Sequence, residues 1–136
     1  MAAASRGAYE VGGSVVGITM SLLTSPVNDY LTENRPTMDF YGRLQGLIRD
    51  SDGYIAVRGG IGTLVEITLV WNKLTTNVLP PRPLVLVGSD IWLPWLAACQ
   101  ATLAVQPHHL DHLIIVDTAA EAVAAVVKAK PTRLAA

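Results

Sequence analysis

Apolar residues along the chain follow two rhythms. Short unbroken runs, SVVGIT (Ser14 to Thr19), GYIAV (Gly53 to Val57), PLVLVG (Pro83 to Gly88) and LIIV (Leu113 to Val116), are bounded by turn residues and read as buried strands; for GYIAV the expectation is a strand covered on both faces. Between them, apolar positions recur at helical spacing. Ala2 to Val11 is an alanine-rich helix stopped by Gly12-Gly13, since glycine tolerates the left-handed conformation that ends helices. From Thr37 to Asp50 the positions Met38, Tyr41, Leu44, Leu47 and Ile48 mark an amphipathic helix that carries Arg43 and Arg49, and Gly42 and Gly46 on it would let another backbone come close. Thr63 to about Thr76 is apolar nearly all round, as expected of a helix buried by sheet and partner together. Ile91 to Val105 and Thr118 to Lys128 complete the helices.

Met20 to Pro36 mixes Pro, Asn, Asp, Ser and Thr without periodicity. It is expected to be mostly loop, with a short extended piece around Tyr30 to Glu33. Strands alternating with helices, the strands apolar throughout, predict an α/β fold: a Rossmann-like three-layer sandwich with a mainly parallel sheet. Residues 1–130 are expected to form a single domain and 131–136 a frayed tail. No internal repeat breaks the pattern.

Composition narrows the function. Of 136 residues, 51% are hydrophobic and 15% charged, enough apolar surface to fill a core and bury some of it against a second copy. A homodimer or higher homo-oligomer is the expectation. The net charge of −1, with Lys and Arg scattered singly, gives no basic stripe for nucleic acid. No leader pattern and no apolar stretch long enough to span a bilayer are visible, so a cytoplasmic protein without a membrane partner is expected. The single cysteine, Cys99, lies in an apolar helical pattern and reads as a buried, inert thiol.

The chemistry concentrates in RGGIGTLVE, Arg58 to Glu66, between a strand and a helix. Ligands in open parallel sheets bind at the carboxyl ends of the strands, and a helix N-terminus preceded by glycines offers N–H groups and a positive dipole to a phosphate. The loop matches neither the Walker pattern nor the dinucleotide fingerprint. Glu66 has two readings. Thr63-Leu64-Val65-Glu66 fits a T-x-x-E capping box, which would make the carboxylate structural; that reading leaves Gly59, Gly60 and Gly62 unexplained.

GGIGTLVE resembles the P-G-G-x-G-T-x-x-E motif of the LOG family, the cytokinin riboside 5′-monophosphate phosphoribohydrolases, whose members were often labelled lysine decarboxylases. Arg43 stands where that family has an arginine on the preceding helix, and similarity runs on through RPLVLVG. The resemblance implies a Rossmann-like homodimer that hydrolyses the N-glycosidic bond of a nucleoside 5′-monophosphate, releasing base and ribose 5-phosphate. Catalysis would fall to Glu66 and Arg43, and phosphate binding to Gly59, Gly60, Gly62 and Thr63, with no metal and no organic cofactor. A decarboxylase would need a Schiff-base lysine, and Lys73, Lys128 and Lys130 are poorly placed for one. A non-catalytic relative, such as a molybdenum cofactor carrier protein, or a structural module without a ligand are the rival readings.

Two departures stand out. Arg58 replaces the motif's leading proline, either as a surface residue or as an added cation near the phosphate. Family members open with a strand and a second glycine-rich loop, whereas this sequence begins in the helix that should follow them. The expectation is an N-terminally truncated sheet lacking a central strand, through an upstream start, a fragment or a shortened site. QPHHLDH (Gln106 to His112) invites a metal reading, but its spacing fits no metal motif and it is expected to be a solvated loop. Trp71, Trp92 and Trp95 are expected in core or interface packing.

Overall fold

The computed structural model describes residues 2–22 and 26–129, so the expected tail at 131–136 lies outside the described residues. The chain divides into two compact units, Met1–Asp50 and Ser51–Ala136. The first holds α1 (Ala2–Glu10), β1 (Val16–Met20), β2 (Glu33–Thr37) and α2 (Phe40–Arg49). The second holds β3 (Tyr54–Ala56), α3 (Ile61–Thr75), β4 (Leu84–Val87), α4 (Ser89–Thr102), a 3₁₀ turn (Pro107–His112), β5 (Leu113–Val116) and α5 (Ala119–Ala129).

In the first unit α1 stops where the glycines predict. Gly12 takes a left-handed φ of 75°, and the Gly12 and Gly13 N–H groups donate to the carbonyls of Tyr9 and Ala8 at 3.0 and 2.8 Å. β1 then pairs in parallel with β2, from Val16 opposite Glu33 to Met20 opposite Thr37. That pairing corrects the expected loop over Met20 to Pro36: β2 begins where the extended piece was to end and runs to Thr37. Its sequence, ENRPT, is exposed along most of its length, so no apolar pattern announces it. The ladder holds it instead, with Thr19 Oγ1 donating to Asn34 Oδ1 and Thr37 Oγ1 donating to the Thr19 carbonyl, both at 2.8 Å. Pro36 has no N–H to give, which suits an edge strand.

Helix α2 starts later than Thr37 because Asp39 caps it, its Oδ1 accepting from the Gly42 N–H at 2.7 Å. Leu44 and Ile48 are its buried residues. A Cβ added at Gly46 would stand 3.0 Å from Ile18 Cγ2, so the close approach expected at this glycine is to a side chain of β1 and not to backbone.

The second unit is a parallel sheet in the order β3-β4-β5. Its centre is β4, where Val85 and Leu86 are 0% exposed and Leu84 1%. Burial on both faces explains the unbroken apolar run. The edge strand β3 differs: Ile55 is 46% exposed and Val57 is also open, so the expected cover on both faces is not there. Every pairing in both units is parallel, and helices alternate with the strands, which makes the fold α/β and Rossmann-like. The strands form two parallel sheets, β1-β2 and β3-β4-β5, since among the described strands β1 pairs only with β2 and β3 only with β4.

The apolar helix α3 resolves into one buried stripe, Ile67, Val70, Trp71 and Leu74, at the i, i+3, i+4, i+7 spacing of a single face. Trp71 and Trp92 are buried as expected and Trp95 half-buried. The Trp95 ring lies 6.2 Å from Trp71 and 5.7 Å from Trp92, and the two buried indoles donate to the carbonyls of His109 (2.7 Å) and Val87 (3.0 Å). Cys99 is half-buried, because α4 turns only part of its apolar surface inward. QPHHLDH is more ordered than a loop. It makes a 3₁₀ turn in which the Gln106 N–H donates to His109 Nδ1 at 3.1 Å.

The start of α5 is a true capping box. Thr118 Oγ1 accepts from the Glu121 N–H at 3.2 Å, while Glu121 Oε2 accepts from the Thr118 N–H at 2.9 Å. The Thr118 hydroxyl and the N–H groups of Thr118 and Asp117 hold the Glu121 carboxyl below its ordinary range. Among the described residues no helix is long and apolar enough to cross a membrane.

A carboxyl held low in the folded state stabilises above its ordinary range and loses that contribution as pH falls through the lowered value. Glu121→Gln keeps a side chain able to accept from Thr118 but cannot titrate. Its thermal midpoint is expected to fall less than the parent's between pH 6 and about pH 3. Equal losses in parent and variant would show that the Glu121 charge is not coupled to folding.

Candidate functional site

Residues Gly59 to Glu66 are brought together at one end of the second unit, where β3 leaves the sheet at its carboxyl end and α3 begins. Gly60 is the N-cap of α3, in an extended conformation, and its carbonyl accepts from the Leu64 N–H at 3.2 Å. The N-terminal N–H groups of a fifteen-residue helix therefore open directly beside the glycines.

This helix start overturns the capping-box reading of Thr63 and Glu66. The glycine loop lets the chain enter the helix at Ile61, two residues before Thr63. Thr63 is then the third helical residue and not the cap, and Glu66 sits in the second turn, too far along for a carboxylate that closes a capping box. The side chain of Thr63 instead lies over Gly59: a Cβ added at Gly59 would stand 2.7 Å from Thr63 Cβ and closer still to its hydroxyl. Gly59 is thus explained by packing. Gly60 and Gly62 are not, because a Cβ at either would meet nothing within 4 Å, and neither takes a positive φ.

Thr63 and Glu66 are three apart and so share a face of α3; both are half-buried. Arg43 lies on α2 in the first unit, half-buried, where it lines a cavity of about 500 Å³ together with all five residues of β1, Asn28, Asn34 and Leu47. That volume is in the range of small-ligand sites. Arg58 is exposed at the entrance to the glycine loop.

Sequence reasoning missed the neighbouring carboxyl ends. After β4, Gly88 turns at a left-handed φ of 106° into α4 without a side chain to cap it. Asp117, directly after β5, fills the gap: its Oδ1 accepts from the Ser89 N–H at 2.8 Å. The hydrogen bond from the Ser89 backbone holds the Asp117 carboxyl below its ordinary range. The signal was a strand followed at once by Asp-Thr, but the partner lies 28 residues away and no local pattern names it.

Lys73 lies on α3 and Lys128 on α5, neither in the glycine loop, and Lys130 lies outside the described residues. Among the described residues there is no group of three or more His, Cys, Asp or Glu able to hold a metal ion.

Comparison with known proteins agrees with the motif. The sequence model of the family described as "Possible lysine decarboxylase" matches residues 1–126. A rice protein (Oryza sativa subsp. japonica), named a probable cytokinin riboside 5′-monophosphate phosphoribohydrolase, is 33% identical over 84 residues. The match spans 59% of this chain and 40% of the rice protein, well under two-thirds of that relative's length. With nearly its whole length matched, and with GGIGTLVE opening α3, the chain belongs to the lysine decarboxylase-like LOG family.

Proposed function

We propose that this protein is a phosphoribohydrolase acting on a nucleoside 5′-monophosphate of the AMP or cytokinin riboside monophosphate type, cleaving its N-glycosidic bond to give free base and ribose 5-phosphate. The observation that carries the reading is the pair Gly60 and Gly62. Neither the packing nor a positive φ demands glycine there, yet both keep the start of α3 bare of side chains. A phosphate is the ligand whose oxygens gain most from that approach, since helix N–H groups and the dipole both favour an anion.

In this reading Gly59, Gly60, Gly62 and Thr63 hold the 5′-phosphate. Glu66 lies one turn further along the same face, where its carboxylate stabilises the oxocarbenium-like sugar and orients the attacking water. Loss of the capping-box explanation supports this role, because a half-buried carboxylate in the second turn of an apolar helix has no end of the helix to close. Arg43 takes the part the family motif gives it, binding phosphate or ribose through its planar fork. Neither metal nor organic cofactor enters the reaction.

The active form is a homodimer or larger homo-oligomer. Ile61, at the very start of α3, is 79% exposed, and Ile55 of the edge strand and Val57 just after it are open as well. Exposed apolar residues next to a site are commonly covered by a partner subunit.

Four outcomes test the proposal. Glu66→Gln is expected to melt within a few degrees of the parent while base release from AMP falls by at least about a hundredfold; hydrolysis at the parent's rate would end the catalytic role of Glu66. Saturable AMP binding without base release by the parent would instead assign the chain to the carrier proteins. Among the glycines, Gly59→Ala is expected to lower the melting temperature through its clash with Thr63. Gly60→Ala and Gly62→Ala should fold normally and weaken AMP binding, and Gly62→Ala is expected to gain the ~0.5–1 kcal/mol of helix preference of alanine over glycine. Normal binding in both would remove the phosphate from the loop. Light scattering on the purified protein is expected to give a mass of two or more chains, and a strictly monomeric active enzyme would refute the assembly.

A further inference from the structure

We propose that Arg58 is a direct ligand of the substrate's 5′-phosphate, so that this chain selects for phosphorylated over unphosphorylated nucleosides through a cation that the family motif replaces with proline. The inference rests on the function proposed above and concerns the same site.

Three observations lead to it. Arg58 is exposed and makes no hydrogen bond or ion pair with any described residue. Most other arginines are committed: Arg6 to Glu10, Arg35 to Glu33, Arg49 to Asp50 and Arg82 to Tyr54. Second, Arg58 stands two residues before Gly60, the N-cap of α3. Two residues of chain span at most about 7 Å, comparable to the reach of an extended arginine, so the guanidinium is within reach of the space in front of the helix N-terminus. Third, charge along this edge is sparse. The turns that leave β3, β4 and β5 contain no other Lys or Arg, and their one carboxylate, Asp117, is occupied by the Ser89 N–H. Asp90, in the first turn of α4, makes no ion pair with Arg58.

The chemistry follows from these placements. A proline at this position stiffens the loop but offers no donor. Arginine gives up that stiffness and supplies up to two parallel N–H donors in the geometry of a phosphate edge, together with a positive charge. The bare N–H groups at Gly60 and Gly62 and the Arg58 fork would then hold different oxygens of one dianion. A nucleoside without the phosphate gains nothing from either.

The experiment compares the parent with Arg58→Ala, Arg58→Pro and Arg58→Lys. Because the side chain is exposed and carries no structural bond, all three are expected to melt like the parent. For AMP hydrolysis, Arg58→Ala and Arg58→Pro should raise KM about five- to tenfold with kcat within about twofold, and Arg58→Lys should recover part of the loss. The salt dependence of KM should become shallower in Arg58→Ala, as one charge contact is removed. Binding of ribose 5-phosphate, measured by calorimetry, should weaken by the same factor, and binding of adenosine should not change. KM and ribose 5-phosphate affinity within twofold of the parent would overturn the role of Arg58 while leaving the hydrolase intact. If the parent hydrolyses no nucleotide, the reading beneath this inference fails, but ribose 5-phosphate binding still decides the point: weakened by Arg58→Ala it upholds the phosphate contact, and unchanged or absent it overturns it.

Discussion

The burial of β4 is the constraint on which the second unit depends. A strand with no exposed surface at Val85 and Leu86 must satisfy its backbone N–H and C=O groups within the sheet, and it does so by pairing with β3 on one side and β5 on the other. Parallel pairing in turn sends all three strands out at the same end. The glycine loop after β3, Gly88 after β4 and Asp117 after β5 therefore lie along one edge as a consequence of a core requirement. Hydrophobic burial does not choose the chemistry at that edge, but it decides that there is an edge for chemistry to occupy.

The chain carries the pattern T-x-x-E twice, and the two copies behave differently. At Thr118 to Glu121 it is a capping box, with both reciprocal hydrogen bonds made and the carboxyl held in its charged form. At Thr63 to Glu66 it is not, because Gly60 has already begun the helix. The threonine and the glutamate are the same in both copies; what precedes them differs. Before Thr118 the chain arrives from a strand through Asp117, whose own side chain is tied to Ser89, and the helix has no earlier place to start. Before Thr63 there are three glycines in four residues, which allow the turn to be made sooner. The same glycines that release Thr63 and Glu66 from a capping duty are the ones that leave the helix start open to a ligand.

Most elements were legible because their causes are local. Strand β4 announced itself as an apolar run, α3 as an apolar helix, and the end of α1 as a glycine pair that takes the left-handed turn. Strand β2 was not legible, since ENRPT has neither alternation nor apolar character and becomes a strand only through its ladder to β1. The exposure of Ile55, the half-burial of Cys99 and the order of the QPHHLDH turn were likewise misjudged from sequence. Each depends on which neighbours arrive from elsewhere in the chain.

For the site, sequence alone supplied the motif and the family. Spacing within RGGIGTLVE is a local property, and a motif on one loop and one helix survives any arrangement of the rest. Tertiary structure decided what the members do for the fold: that Gly59 yields to the Thr63 side chain, that Gly60 and Gly62 yield to nothing, and that Glu66 closes no cap. It also supplied Asp117 as the partner of Ser89, across 28 residues that no pattern connects. The physical reason is the range of the forces involved. Backbone preference and periodicity act over a few residues and can be read in order, whereas steric contact and hydrogen bonding act through space and exist only once the chain has folded.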